Sequence, residues 1–207
     1  MGSPLDGKEM LIDPITRKPL IYWSVMKALR AGFDPILVLH PNKVKLKRYL
    51  IKEFGKRIKI FLHTPQPWEE WADSVLSVHK YWGKWNVIIL PDTRFNEPLN
   101  ILKDIKNIKK SDLVFYTHKV EDGSKFGVLL GTSNDIMFTS EKPRLLAGKP
   151  ATAWGLIGFN KVYGYKLFKA YSVKNARLGL LCKTVIKPLE WFKDITRTGV
   201  LEEYPRG

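Results

Sequence analysis

The chain has 207 residues, 44% of them apolar and 12% aromatic, which is the composition of a folded domain with a proper core and excludes a disordered chain. Its formal charge of +15 and pI near 9.8 suit an anionic partner (nucleic acid, a membrane surface or phosphorylated small molecules), with a lysine-rich surface that only serves solubility as the plainer counterpart. One cysteine, Cys182, excludes an internal disulfide and any multi-cysteine zinc site, and no run approaches the roughly 18 apolar residues of a membrane span, so a soluble, cytoplasmic protein is expected.

Met1–Lys8, MGSPLDGK, is a Gly/Ser/Pro/Asp-rich loop closed by a lysine. Backbone amides at Gly2 and Ser3 can approach phosphate oxygens closely, and Lys8 adds a point charge. Ile15–Pro19 is a turn, and Leu20–Ala31 carries apolar residues at helical spacing up to a stop at Ala31-Gly32. Pro35–Leu39 reads as a buried strand. Asn42–Phe54 is a basic amphipathic helix whose lysines are more simply a solvated face than a nucleic-acid contact. Ile58–Leu62 is a third extended run, His63–Glu70 a loop, and Trp71–Trp82 a helix.

Val87-Ile88-Ile89-Leu90 is a short apolar run suited to a strand buried on both faces. It stops at Pro91-Asp92, which puts a carboxylate at the strand's C-terminal edge, where open α/β sheets bind ligands. On that stretch alone, a turn aspartate is the simpler reading. Strands near 36, 59 and 88 with helices between them make the βαβ pattern of a parallel sheet. A helix over Leu99–Ile108 and a strand over Asp112–Thr117 follow. Phe126–Leu130 and Asp135–Thr139 make a hairpin-like insertion, Pro150–Phe159 contains a strand and Val162–Ala170 a helix. No linker or repeat interrupts this, so one domain over 1–207 is expected.

Several phrases then fall in one order. Lys8-Glu9-Met10-Leu11, Lys18-Pro19-Leu20-Ile21 and Ala31-Gly32 are followed by Gln66-Pro67 ahead of Ala72-Asp73-Ser74-Val75-Leu76. Next come Leu90-Pro91-Asp92, Lys125-Phe126-Gly127-Val128, Glu141-Lys142-Pro143 and Ala153-Trp154-Gly155-Leu156. Trp191 through Gly199, containing Asp194, closes the series. Together they resemble the sugar-1-phosphate nucleotidylyltransferases, across nearly the whole chain.

The resemblance implies a nucleotide-binding α/β fold, with a mostly parallel mixed sheet flanked by helices and a small β insertion. It implies a nucleoside triphosphate and a sugar 1-phosphate as substrates, with pyrophosphate released. Asp92 and Asp194 would hold Mg²⁺ against the α-phosphate, and Lys8 would neutralise phosphate charge. Gly2 and Ser3 would line the phosphates, and Gln66 would read a base edge. Glu141 would accept sugar hydroxyls, Lys142 would reach the sugar's phosphate, and Gly127 and Gly155 would let the sugar approach the backbone.

This chain also departs from that pattern. The family opens with a strand ahead of its glycine loop, whereas here the chain opens at Gly2 with a shorter loop: either this start is short or the strand is absent, in which case the sheet loses a central member. Pro4 stands where the family has an arginine, Trp71 near a base-packing glycine, and Thr196 for a glycine. The rival expectation is therefore a catalytically impaired module on the same scaffold that binds nucleotides or, less favoured, nucleic acid. A glycosyltransferase would want a D-x-D pair, which Asp92-Thr93-Arg94 does not supply. Of the tryptophans, Trp68 and Trp71 are the base-stacking candidates, and the others suit core positions.

Overall fold

The computed structural model describes residues 8–13, 16–67, 69, 71–91, 93–95, 104, 106–107, 112–133, 136–172, 182–189 and 192–194. Helix α1 (Leu20–Arg30) follows Pro19, whose fixed φ suits the start of a helix. It turns its Leu20, Ile21, Val25 and Ala28 face inward. Its chain leaves through Gly32 at φ 79°, the left-handed conformation that glycine adopts without penalty. Strand β1 (Ile36–Leu39), helix α2 (Val44–Phe54) and strand β2 (Lys59–Leu62) complete a βαβ unit in which β1 and β2 are parallel. Leu46, Leu50 and Phe54 of α2 close over Leu37 and Leu39 to form one apolar cluster.

Beyond a loop lie helix α3 (Trp71–Leu76) and strand β3 (Trp85–Ile89). The expected single helix over Trp71–Trp82 is divided: α3 ends at Leu76, and a 3₁₀ turn at His79–Tyr81 leads to the buried Trp82. Strands β4 (Thr93–Phe95) and β10 (Phe192–Asp194) form an antiparallel pair. Between them come β5 (Asp112–Val120), the hairpin β6 (Gly127–Ser133) and β7 (Ile136–Glu141), β8 (Ala151–Asn160), α4 (Lys161–Ser172) and β9 (Cys182–Pro188). The six-stranded sheet runs in the order β3-β8-β5-β9-β7-β6.

The fold is α/β with a mixed sheet flanked by helices. The expected predominance of parallel pairing is not found among the described strands. Only β1–β2 and β5–β9 are parallel there, and the remaining pairings are antiparallel. Two physical reasons account for this. The returning strand β8 inserts antiparallel between β3 and β5, and the hairpin adds its own antiparallel pairs. Strand β3, moreover, is bonded to β8 and not to the β1–β2 unit.

The main core lies between the sheet and the pair α3–α4. Trp82, Phe159 and Phe168 meet edge to face there, with centroids 5.0–6.0 Å apart. Trp71 joins them at 5.3 Å from Trp154 and 5.8 Å from Phe168. It is half-buried and packed against this cluster, so its ring is engaged with the core and not presented as the expected base-stacking platform. Trp68 lies outside the described residues.

Helix α4 approaches β8 closely because position 164 is glycine: a Cβ there would lie 2.1 Å from the ring of Phe159. Gly164→Ala therefore sets a helix-propensity gain of about 1 kcal/mol against an overpacking cost of about 1–3 kcal/mol. A net loss is expected, read as a lower urea midpoint. A raised midpoint would contradict this packing.

Candidate functional site

Strand β8 divides one of its edges between two partners. Leu156–Asn160 pair with β3, whereas Thr152 and Ala153 pair with β6. Trp154 and Gly155 lie between the two pairings. On the opposite edge the register with β5 shifts at the same place, Thr117 facing Trp154 and Tyr116 facing Leu156, which leaves Gly155 as the extra residue of a β-bulge. The pairing of this edge is thus interrupted between the C-terminal end of β3 and the start of β6, a candidate crevice above the buried Gly155. Points at which neighbouring strands diverge are where open α/β sheets take ligands.

The hairpin brings three expected residues to one side of this crevice. Gly127 pairs in register with Glu141, and the Lys142 amide donates to the Phe126 carbonyl at 3.0 Å. Lys142 is exposed and holds φ at 45°, a left-handed conformation that a non-glycine residue adopts at some cost. The side chain of Glu141 is outside the described set. Asp122 braces the entry to the hairpin: its carboxylate accepts from the Ser124 hydroxyl at 2.7 Å, the Ser124 amide and the Gly148 amide, both at 3.1 Å, with Lys125 Nζ at 3.0 Å. These partners, the Ser124 hydroxyl first, hold its pKa well below the usual carboxylate range.

On the other side stand the ends of β1, β2 and β3. Ser24 Oγ, in the first half of α1, donates to the Leu90 carbonyl just past β3 at 3.0 Å. Gln66 is exposed in the loop after β2. Glu69, which the sequence reading did not single out, folds that loop: its Oε2 accepts from the Gln66 amide at 3.0 Å and lies 2.9 Å from His63 Nε2. The spacing Gln66-x-x-Glu69 was the available signal. Lys8 lies in a 3₁₀ turn (Lys8–Met10), and its neighbour Glu9 is paired with Lys43 just beyond β1. Lys8's side chain is outside the described set, as are Gly2 and Ser3 entirely.

Asp92 lies outside the described residues. Asp194 is on β10, and its register partner on β4 is Thr93, the residue that follows Asp92 in sequence. The Asp194 side chain is not described. Among the described residues no three His, Cys, Asp or Glu side chains gather as a metal site. No described helix is long and apolar enough to cross a membrane.

His118, on β5, lies beside this region. It pairs across β5–β8 with Ala153, next to Val128 of β6, and its ring meets Phe126 edge to face at 5.9 Å. Burial pushes its pKa down from 6.5 to about 4, so the imidazole is neutral at pH 7. Its neighbour Tyr116 is buried at the bulge and donates to Asp104 Oδ2 at 2.9 Å. Burial, and then that bond, raise the phenol's pKa far above its ordinary value.

No protein-family model matches the chain, and no curated protein sequence does. Solved structures do match in fold. A protein from Bacillus anthracis described as a glucose-1-phosphate thymidylyltransferase, solved with sucrose, superposes with a TM-score of 0.71 at 18% identity, covering 95% of this chain and 84% of its own. HddC from Yersinia pseudotuberculosis with GMP-PN gives 0.66 at 19% identity, covering 93% and 85%. HddC without that ligand gives 0.67 at 20% identity with the same coverage. This chain therefore shares the fold of those structures.

A histidine that protonates near pH 4 when folded and near 6.5 when unfolded leaves the unfolded chain with more bound protons between those values. Stability from this group is full above about pH 6.5 and falls as the pH drops towards 4. The melting temperature of His118→Gln is expected to fall less steeply over that interval than that of the parent chain. Parallel curves would show that burial does not control this imidazole.

Proposed function

We propose that the chain, as one domain over 1–207, is a nucleotidylyltransferase that transfers a nucleoside monophosphate from a nucleoside triphosphate to a sugar 1-phosphate. A phosphate oxygen of the sugar 1-phosphate forms the new bond to the α-phosphorus, the bond from that phosphorus to the bridging oxygen breaks, and pyrophosphate leaves. The observation that carries this reading is the register of Asp194 opposite Thr93, on a fold shared with sugar-phosphate nucleotidyltransferases. This reading assigns Asp92, which precedes Thr93 in the sequence, and Asp194 to one site.

Hard carboxylate oxygens suit Mg²⁺, which takes one or two of them together with substrate phosphates and water. Bound there, the ion would supply charge neutralisation at the α-phosphate. The chain's own part is positioning and charge. Lys8 neutralises phosphate charge where the loop containing Gly2 and Ser3 meets the triphosphate. Gln66 reads the base edge from a loop folded by Glu69. Glu141 accepts sugar hydroxyls, Lys142 reaches the sugar phosphate, and Gly127 and Gly155 admit the sugar to the backbone. The strained backbone at Lys142 supports a binding part for that residue.

The second reading is a binding module without turnover. It draws on the basic face of α2, where Lys45, Arg48 and Lys52 are exposed. Such a face on nucleic acid would give an affinity that falls steeply with salt, whereas a nucleotide pocket would not.

The deciding experiment is pyrophosphate release with Mg²⁺ across the common nucleoside triphosphates and a panel of sugar 1-phosphates. Release that requires both substrates and falls by about 100-fold or more in Asp92→Asn and Asp194→Asn is expected. No release, with a nucleotide still raising the melting temperature, would favour the module; silence in both assays would end the nucleotide reading. Glu69→Gln weakens a charge-assisted brace worth about 1 kcal/mol, so KM for the triphosphate should rise about fivefold with kcat little changed. An equal fall in kcat would move Glu69 from loop support to the chemistry.

A further inference from the structure

Residues 43–59 hold eight of the chain's 35 lysines and arginines and one of its 20 acidic residues. Helix α2 occupies most of this stretch. Its Leu46, Leu50 and Phe54 are turned to the core, and the exposed residues on its outer side are Val44, Lys45, Arg48, Ile51 and Lys52. At 3.6 residues per turn, Val44 and Ile51 stand about 20° apart around the axis and about 10 Å apart along it. They form one short apolar stripe, bordered by Lys47 on one side and Arg48 on the other. Val44 is 49% exposed and Ile51 53%.

The stripe lies on the open flank of the helix. Glu53, about half a turn round the axis from it, is tied to Lys18 ahead of α1 at 3.2 Å, so α1 sits against the opposite flank. The cations also weaken the helix that carries them. No acidic residue stands in the first turn of α2, the end at which the helix dipole repels positive charge. Arg48 and Lys52, four residues apart, set like charges side by side on the surface, which destabilises a helix further. Glu53, the one carboxylate on α2, is engaged with Lys18. An anionic partner relieves both costs.

We propose that the outer face of α2 is a docking surface for an anionic phospholipid bilayer. Lys47, Arg48 and Lys52 lie among the headgroups, and Val44 and Ile51 reach the boundary between headgroups and acyl chains. Charge fixes the sign of the partner, and the stripe fixes its class. Surfaces that hold nucleic acid add aromatic side chains that stack on bases, or amides that read them, to their cations. The exposed residues of α2 include neither, and an aliphatic side chain laid on a phosphate backbone stays in water. A second copy of the chain would bring two basic faces together. Because Leu46, Leu50 and Phe54 belong to the core, the helix rests flat on the bilayer and does not sink into it, so the attachment is reversible and weakens with salt. Helix α2 supplies no residue to the candidate site, and the inference holds whichever reaction the chain performs.

Co-sedimentation of the full chain with vesicles tests this, using phosphatidylcholine alone and phosphatidylcholine with about one-third phosphatidylserine. Partition onto the anionic vesicles is expected to exceed that onto the neutral ones by about tenfold or more. Arg48→Gln combined with Lys52→Gln should weaken it by about 25-fold, at about fivefold per charge. Val44→Ser combined with Ile51→Ser, which keeps every charge, should weaken it by about tenfold. All four side chains are exposed, so without vesicles both variants should melt within about 2 °C of the parent chain. Equal partition of the parent onto both kinds of vesicle would overturn the docking surface. Undiminished binding by the glutamine pair would overturn its placement on α2. Undiminished binding by the serine pair would leave charge alone and overturn the bilayer in favour of nucleic acid.

Discussion

Hydrogen bonding along β8 is the constraint on which the rest of the molecule depends. One edge of this ten-residue strand is taken by β5 and the other is shared by β3 and β6. Two partners can share an edge only where one ends before the other begins. That interval falls at Trp154-Gly155, beside the bulge that removes Gly155 from the ladder. The crevice is therefore a product of strand pairing and not of a loop laid over a finished sheet. Backbone pairing of this kind is stiff, so residues held at the rim, such as Gly127 and Lys142, inherit their positions from the ladder.

Burial acts on the same strand from beneath. Residues Ala153 to Asn160 are all buried, with α3 and α4 beneath and the phenol of Tyr116 at the bulge. In such surroundings a neutral imidazole is favoured over a charged one, as at His118. A single desolvating environment thus sets the protonation of two groups that lie beside the candidate sugar side of the crevice.

Much of the fold was legible in periodicity. The helical spacing from Leu20 and from Val44, the apolar runs at Ile36 and Val87, and the hairpin around Gly131 all correspond to observed elements. Strand partners were less legible. The run Val87–Leu90 shows that a strand is covered, but carries no statement of what lies beside it, and alternation with helices suggested one parallel sheet of β1, β2 and β3 where the structure pairs β3 antiparallel with β8. Trp71 shows the same limit, since an aromatic residue next to a loop reads alike whether it faces solvent or, as here, Trp154 and Phe168. Glu69 and His118 were missed because each depends on contacts with the fold around it. The order of phrases, by contrast, pointed to the architecture found in the Bacillus anthracis structure.

The division of the apolar side chains bears on cooperativity. Leu37, Leu39, Leu46, Leu50 and Phe54 form a cluster separate from that of Phe115, Phe159 and Phe168, with a groove lying between β1 and β3. Polar links from α1 cross towards the sheet, namely the Ser24 bond to Leu90 and that of Lys27 to the Phe95 carbonyl. Side chains packed in separate clusters lose their contacts separately, so opening of the β1–α2–β2 unit leaves the larger cluster intact. For such a molecule a single unfolding free energy describes the chain only when both units melt together, and the stability sensed by a probe depends on which cluster it reports.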